Sequence, residues 1–112
     1  MIIIDAQSKK LGRVASEAAK ALMGKHLPTY TRNRTADIHV RIINAESADI
    51  SERKLKQLEY FTYSGYPGGL KRESGAHLKG RKGVAQIFRH AVSGMLPDNS
   101  LKRNMMKRLS IQ

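Results

Sequence analysis

Ala91–Leu109 reads AVSGMLPDNSLKRNMMKRL, and in it one helix ends, the chain turns, and a second, cationic helix begins. Val84, Ile87, Phe88, Ala91 and Met95 recur at helical spacing, so the incoming helix has one apolar face, and Gly94 followed by Pro97 stops it. Asp98, Asn99 and Ser100 are consecutive N-cap candidates, each with a side-chain oxygen able to accept from an unpaired backbone N–H. On the helix that follows, expected over about 100–109, Leu101, Met105 and Leu109 form a stripe that only packing on the body of the protein can satisfy. Arg103 and Lys107 lie opposite the stripe, with Lys102 and Arg108 on its flanks and no acid among them. Like-charge repulsion on that face is unrelieved, so a polyanionic partner explains it better than solvation does.

Working outward, 112 residues with a hydrophobic fraction of 40% make one domain with a modest core. No apolar run approaches the ~20 residues that span a bilayer, and Met1–Ile4 is too short for a signal peptide's apolar region. Cysteine is absent, which excludes disulfides and thiolate metal sites, and His26, His39, His77 and His90 share no metal-ligand spacing; neither metal nor cofactor is expected. The net charge is +12, and the excess is concentrated from Lys71 onward, where the only acids are Glu73 and Asp98. Basic residues dispersed over turns and several elements suit nucleic acid better than a membrane surface, where an anchor gathers them on one amphipathic helix.

From the start of the chain, Ile2, Ile3 and Ile4 form a β-branched run ending at Asp5, the pattern of a buried strand. Ser8 is a candidate cap for a helix running to Met23, with Leu11, Val14, Ala15, Ala18 and Leu22 in an apolar arc, Arg13, Glu17 and Lys20 facing away, and Gly24 and Pro28 ending it. Lys9 and Lys10 stand where the helix dipole disfavours cations by a few tenths of a kcal/mol each, and Gly12 weakens the first turn. A phosphate there would meet backbone N–H groups and two ammonium groups together, reversing the sign of the penalty.

KHLPTYTRNR, from Lys25 to Arg34, is a basic loop in which Arg32, Arg34 and Lys25 can hold a phosphate backbone while Tyr30 stacks on an unpaired base. Thr35–Asp37 leads into a second strand, with Ile38, Val40 and Ile42 alternating with His39 and Arg41 as far as Asn44. Ala48–Ser51 is a third strand candidate, Ser51 a cap for a short helical turn over Glu52–Gln57, and Leu58–Tyr63 an aromatic-rich fourth strand. The loop SGYPGGLK, Ser64–Lys71, has three glycines and a proline. Its Gly68 and Gly69 let backbone turn sharply or approach a partner closely. Tyr60, Phe61 and Tyr63 read as core or sheet-face residues, whereas Tyr66, held among Pro and Gly, reads as a base-stacking residue. Lys71 and Arg72 leave the loop, and HLKGRKG, His77–Gly83, adds Lys79, Arg81 and Lys82 on a flexible approach to the helix at Val84. The basic loops are thus expected at 25–35 and 64–83.

IIIDAQSKKLGRVAS, GKHLPTYT, HVRIINA, YSGYPGGLK and AVSGMLPDNSLKRNMMKRL occur in the order found in the large-subunit ribosomal protein thirteen family, bacterial type, and cover most of the chain. The sequence resembles that family closely, and the GYPGGLK loop combined with the GMLP turn is the specific part. The resemblance implies a three-layer α/β/α domain around a small, mainly parallel four-stranded sheet, placed in the cytoplasm on the ribosome, contacting large-subunit rRNA and neighbouring ribosomal proteins. The residues alone leave the strand order open, because the short link from Asn44 to Ala48 could equally make an antiparallel hairpin. The chain begins almost at its first strand and stops at Ser110-Ile111-Gln112, so the resemblance does not carry over the contacts that other members make through their tails.

Two other classes, an enzyme and a free-standing regulator, compete with this reading. An enzyme using a nucleotide cofactor needs G-x-G-x-x-G between Ile4 and Leu11, where it is missing, and Gly65, Gly68 and Gly69 do not match that spacing. A nuclease built on Asp5, Asp37 and Asp49 has no base beside any of them in sequence. No catalytic residue and no small-molecule substrate are expected. A free-standing RNA-binding regulator shares every feature of the ribosomal reading.

Overall fold

Ile2–Asp5 forms strand β1, and its pairing with Val40–Ile43, strand β2, is parallel with Ile2 opposite Val40 and Ile4 opposite Ile42. The structure is a computed structural model describing residues 1–34 and 37–112; Thr35 and Ala36, at the expected lead-in to the second strand and the end of the first basic loop, lie outside the described residues. A parallel pair needs a crossover, and helix α1, Leu11–Met23, lies between the two strands in the chain. Its buried side chains are Leu11, Val14, Ala15, Ala18, Ala19, Ala21 and Leu22, the expected arc with two further alanines. Gly24, at φ 75°, ends it in the left-handed conformation.

After β2, Asn44 turns with φ 57° into a 3-10 turn over Ala45–Ser47. The third strand expected at Ala48–Ser51 is absent as a strand: Asp49 makes one isolated parallel bridge to Lys10, its N–H donating to the Lys9 carbonyl at 2.9 Å. Ser51 caps α2, Glu52–Gln57, as expected, accepting from Lys54 N–H at 3.2 Å. The aromatic strand β3, Glu59–Tyr63, does not join the main sheet. It pairs antiparallel with β4, Leu70–Ser74, to make a separate hairpin. The residues expected as loop at 64–83 therefore include a strand and then a helix, α3, Gly75–Lys82, whose N-cap Ser74 accepts from His77 N–H at 3.2 Å. Leu78 is the one large apolar side chain that α3 buries, which is why its sequence carries no periodic signal.

Helix α4, Val84–Met95, buries Val84, Ile87, Phe88 and Val92 against α1. Leu96 and Pro97 then redirect the chain, and of the three candidate caps Asn99 serves, its Oδ1 accepting from Leu101 N–H at 3.0 Å and Lys102 N–H at 3.2 Å. Helix α5 is shorter than expected, Lys102–Lys107. Leu109 leaves it to begin β5, Leu109–Ile111, which pairs parallel with β2, Leu109 opposite Val40 and Ile111 opposite Ile42. The parallel sheet therefore has three strands in the order β1-β2-β5, not four.

The core lies on one face of that sheet. Ile4, Val40, Ile42 and Leu109 are buried with α1 and α4, whereas the alternate residues Ile3, Asp5 and Ser110 are exposed, Ile3 by 61%. Helices α1 and α4 thus cover one face of the sheet. On the other, Arg41 and Ile43 of the central strand are half-buried, and among the described residues the third layer of helices expected from the resemblance is not formed, in keeping with a thinnest dimension of 18 Å. Phe88 is wholly buried at the centre of the packing. Phe88→Ala should cost about 3–5 kcal/mol, a large part of a small domain's stability; the midpoint of urea unfolding followed by circular dichroism checks it.

Candidate nucleic-acid interface

The expected contact residues fall into separate clusters, each set by a turn or a helix end. At the head of α1, Lys10 is the N-cap in extended backbone and no side chain caps the helix; Ser8 instead sits in the turn with φ 59°. The first turn of α1 holds no acid. Ser8, Lys9, Lys10, Arg13 and Glu17 line a concavity of about 500 Å³ there. The Lys10 ammonium is paired with Asp49 across the isolated bridge, leaving Lys9 and Arg13 exposed beside the uncapped N–H groups.

The loop after α1 folds back on the turn between α4 and α5. Met23, Lys25, Tyr30, Arg32, Met95, Leu96, Pro97 and Asn99 line one concavity of about 440 Å³. Tyr30 also lines a neighbouring one of about 300 Å³ with Arg34 and Asp37. Tyr30 is 39% exposed, so its ring divides two hollows that both carry a cation. Proximity of the KHLPTYTRNR and GMLPDN segments comes from the packing of α1 on α4, a relation no local pattern contains.

On α5 the cations divide unequally. Lys102 donates to Asp98 at 2.7 Å, an i, i+4 pair across the cap, and Arg108 is half-buried with Asp37 at 3.9 Å. The helix face expected to lack any acidic partner therefore has Asp98, whose carboxyl the Lys102 ammonium holds below its ordinary range. Arg103 and Lys107 are exposed and have no ion pair among the described residues.

The hairpin and α3 form the last cluster. Glu73 accepts from Arg81 at 2.8 and 2.7 Å and lies 2.7 Å from His77 Nδ1, clamping β4 to α3. Arg81, though exposed, is thus paired with a carboxylate of the same chain, while Lys71, Arg72, Lys79 and Lys82 are exposed with no ion pair among the described residues. At the hairpin tip Gly69 N–H donates to the Tyr66 carbonyl at 2.9 Å. Gly68 has φ +75°, so the turn itself favours glycine there, and a Cβ on Gly69 would displace the Ser64 hydroxyl and crowd the Tyr66 carbonyl at 3.0 Å. Tyr66 stands out from that turn, 75% exposed.

Tyr60 faces inward and stacks on His90 of α4, ring centroids 4.5 Å apart; burial pushes its hydroxyl above the ordinary 10.0. Phe61 and Tyr63 were read as core or sheet-face residues and are 58% and 64% exposed. Strand alternation, with Tyr60 taking the inward position, was the signal that would have placed them outside.

The acids weighed for a nuclease are all engaged. Asp5 Oδ1 accepts from Gln7 N–H at 2.9 Å and Asn44 Nδ2 at 3.0 Å, which lowers its pKa, with Asn44 the larger cause. Asp49 belongs to Lys10 and Asp37 lies against Arg108. Among the described residues no group of three or more His, Asp or Glu could hold a metal ion, and no helix is long and apolar enough to cross a membrane.

These features define a class: a thin, strongly cationic α/β domain whose exposed cations form several separate clusters rather than one cleft. The chain belongs to the family described as ribosomal protein L13, whose model matches residues 1–111. It is 48% identical over 109 residues to the large ribosomal subunit protein uL13 of Caldanaerobacter subterraneus subsp. tengcongensis, covering 97% of this chain and 76% of that protein. The uL13 protein of Synechococcus elongatus is 42% identical over 109 residues, with 97% and 72% covered.

The Glu73 clamp has a definite pH dependence. Arg81, then His77, holds the Glu73 carboxyl down from its ordinary 4.5 to about 2. A depressed carboxylate contributes its full stabilisation above the ordinary value and loses it as pH falls through the folded one. Protection of the β4 and α3 amides, measured against their intrinsic exchange rates at each pH, should therefore fall progressively between about pH 4.5 and 2, and Glu73→Gln should show the lowered protection already at neutral pH; hydrogen exchange by NMR checks both.

Proposed function

We propose that this chain is a structural constituent of the large ribosomal subunit that binds and organises large-subunit rRNA during assembly. The observation that carries the reading is the family match over residues 1–111 in a chain of net charge +12. The family is not enzymatic, and the chain performs no chemical step. Its partners are rRNA and neighbouring proteins of the large subunit.

The mechanism is architectural. Exposed cations replace counterions condensed on phosphates, so RNA segments that repel one another can be held together by one rigid body. Lys9 and Arg13 stand at the uncapped head of α1, where backbone N–H groups add to the attraction for a phosphate. Lys25, Arg32 and Arg34 surround Tyr30, and Arg103 and Lys107 project from α5. Tyr66 and the backbone at Gly68 and Gly69 present the hairpin tip to RNA, with Lys71, Arg72, Lys79 and Lys82 behind it. Lys10, Arg81, Lys102 and Arg108 act at one remove, because each already faces a carboxylate. The whole of 1–112 acts as one domain in this reading. A-form RNA offers shape, 2′-hydroxyls and unpaired bases more than a readable groove, so sequence readout is slight.

Replacing Arg103 and Lys107 together by Glu should weaken association with large-subunit rRNA and reduce the slope of log K against log salt by roughly 1.5. Filter binding across a salt series checks this, and an unchanged slope removes α5 from the contact surface. Sedimentation of a lysate at low and high salt tests the role itself: co-migration with the large particle is expected, and a chain found only in light fractions would mark a free-standing regulator.

A further inference from the structure

Among the described residues nothing packs on the outward face of the β3–β4 hairpin. Cross-strand register puts Phe61 opposite Arg72 and Tyr63 opposite Leu70, and all four side chains are exposed. Alternation along the strand sets Phe61 and Tyr63 on one face, about 7 Å apart, while Tyr60 on the other face anchors the hairpin root on His90. The Arg72 guanidinium lies 5.5 Å from the Phe61 ring centroid. The clamp from Glu73 to Arg81 and His77 fixes β4 to α3, so the platform is held rigidly although only two strands wide.

We infer that this face is a stacking platform for unpaired bases of a single-stranded RNA segment, Phe61 and Tyr63 each receiving one base and Arg72 meeting the phosphate between them. The inference rests on the proposed RNA-binding function and adds a second mode of contact to it. Isolated aromatic residues on a sheet surface, interleaved with cations, are the arrangement by which proteins hold splayed bases, because every base has a π-face and the backbone supplies the charge. Charge decides between RNA and a protein partner. On this face Arg72, opposite Phe61, is the cation at the middle, whereas Lys71, opposite Thr62, and Glu73, already taken by Arg81, lie on the other face; Glu59, at the far end of the outward face, is the remaining acid on the two strands. An apolar protein surface would have to leave Arg72 unpaired at its centre, whereas RNA brings a phosphate with every base.

The test uses the full chain and an unstructured twelve-nucleotide RNA carrying 2-aminopurine, whose fluorescence changes when it stacks, beside a duplex of the same length. The unaltered protein should change the fluorescence of the single strand, and Phe61→Ala and Tyr63→Ala should each weaken single-strand binding about tenfold with duplex binding altered less than twofold. Both residues are exposed, so the melting temperature should not move. Phe61→Leu keeps an apolar side chain without the ring and should behave as Phe61→Ala; restoration of binding by Leu would overturn stacking. Unchanged fluorescence with the unaltered protein, or alanine variants that bind the single strand normally while duplex and rRNA binding persist, would overturn the platform and leave the proposed function standing. Alanine variants that bind the single strand normally but are lost from large particles would make the face a protein interface. Failure of the unaltered chain to bind single strand, duplex and rRNA alike would sink the proposed function itself.

Discussion

Parallel pairing of a single central strand organises the molecule. Val40–Ile43 has β1 from the start of the chain on one side and β5 from its end on the other, so backbone hydrogen bonds tie three distant segments together. Val40 and Ile42 are the inward residues of that strand and are almost wholly buried. A buried strand must satisfy its N–H and C=O groups through neighbours, and here the Val40 N–H donates to the Arg108 carbonyl at 3.0 Å, which fixes where α5 stops. The position of the cationic helix thus follows from a backbone bond in the sheet.

Acids in this protein are structural. Asp49, Glu73, Asp98 and Asp37 each face one cation and hold a turn, a hairpin or a helix end in place. Cations outnumber them so heavily that most of the remainder are exposed with no ion pair among the described residues, and the positive field survives the internal pairing. Exposed pairs of this kind contribute little to stability individually. Their value lies in geometry: the Glu73 clamp orients the hairpin, and the Asp98–Lys102 pair closes the cap of α5.

The core segments were legible because they obey one period. The apolar arc of α1 and the alternation through Val40 and Ile42 bury the residues their spacing points to, and the face of α4 does so at Val84, Ile87 and Phe88, but at its C-terminal end Val92 is buried while Ala91 is half-buried and Met95 is exposed. Leu109 was ambiguous in principle, since it completes a helical stripe with Leu101 and Met105 and equally begins a Leu-Ser-Ile alternation. The free edge of β2 resolved it. The hairpin went unread because Leu70–Ser74 is almost wholly polar, and α3 because Leu78 is alone among glycines and lysines. Of the candidate interface, the cations were visible as residues, but Asp98 was seen only as a cap and not as the partner of Lys102.

By itself the sequence determined the cationic character, the helices α1 and α4, the strands β1 and β2, and the absence of cysteine chemistry. These depend on composition and on contacts within a few residues. Tertiary structure decided the strand count, the one covered face of the sheet, the meeting of the Tyr30 loop with the α4–α5 turn, and the outward aim of Phe61 and Tyr63. Each of those depends on which distant segment supplies a hydrogen bond or a packing surface, and local spacing carries no information about that choice.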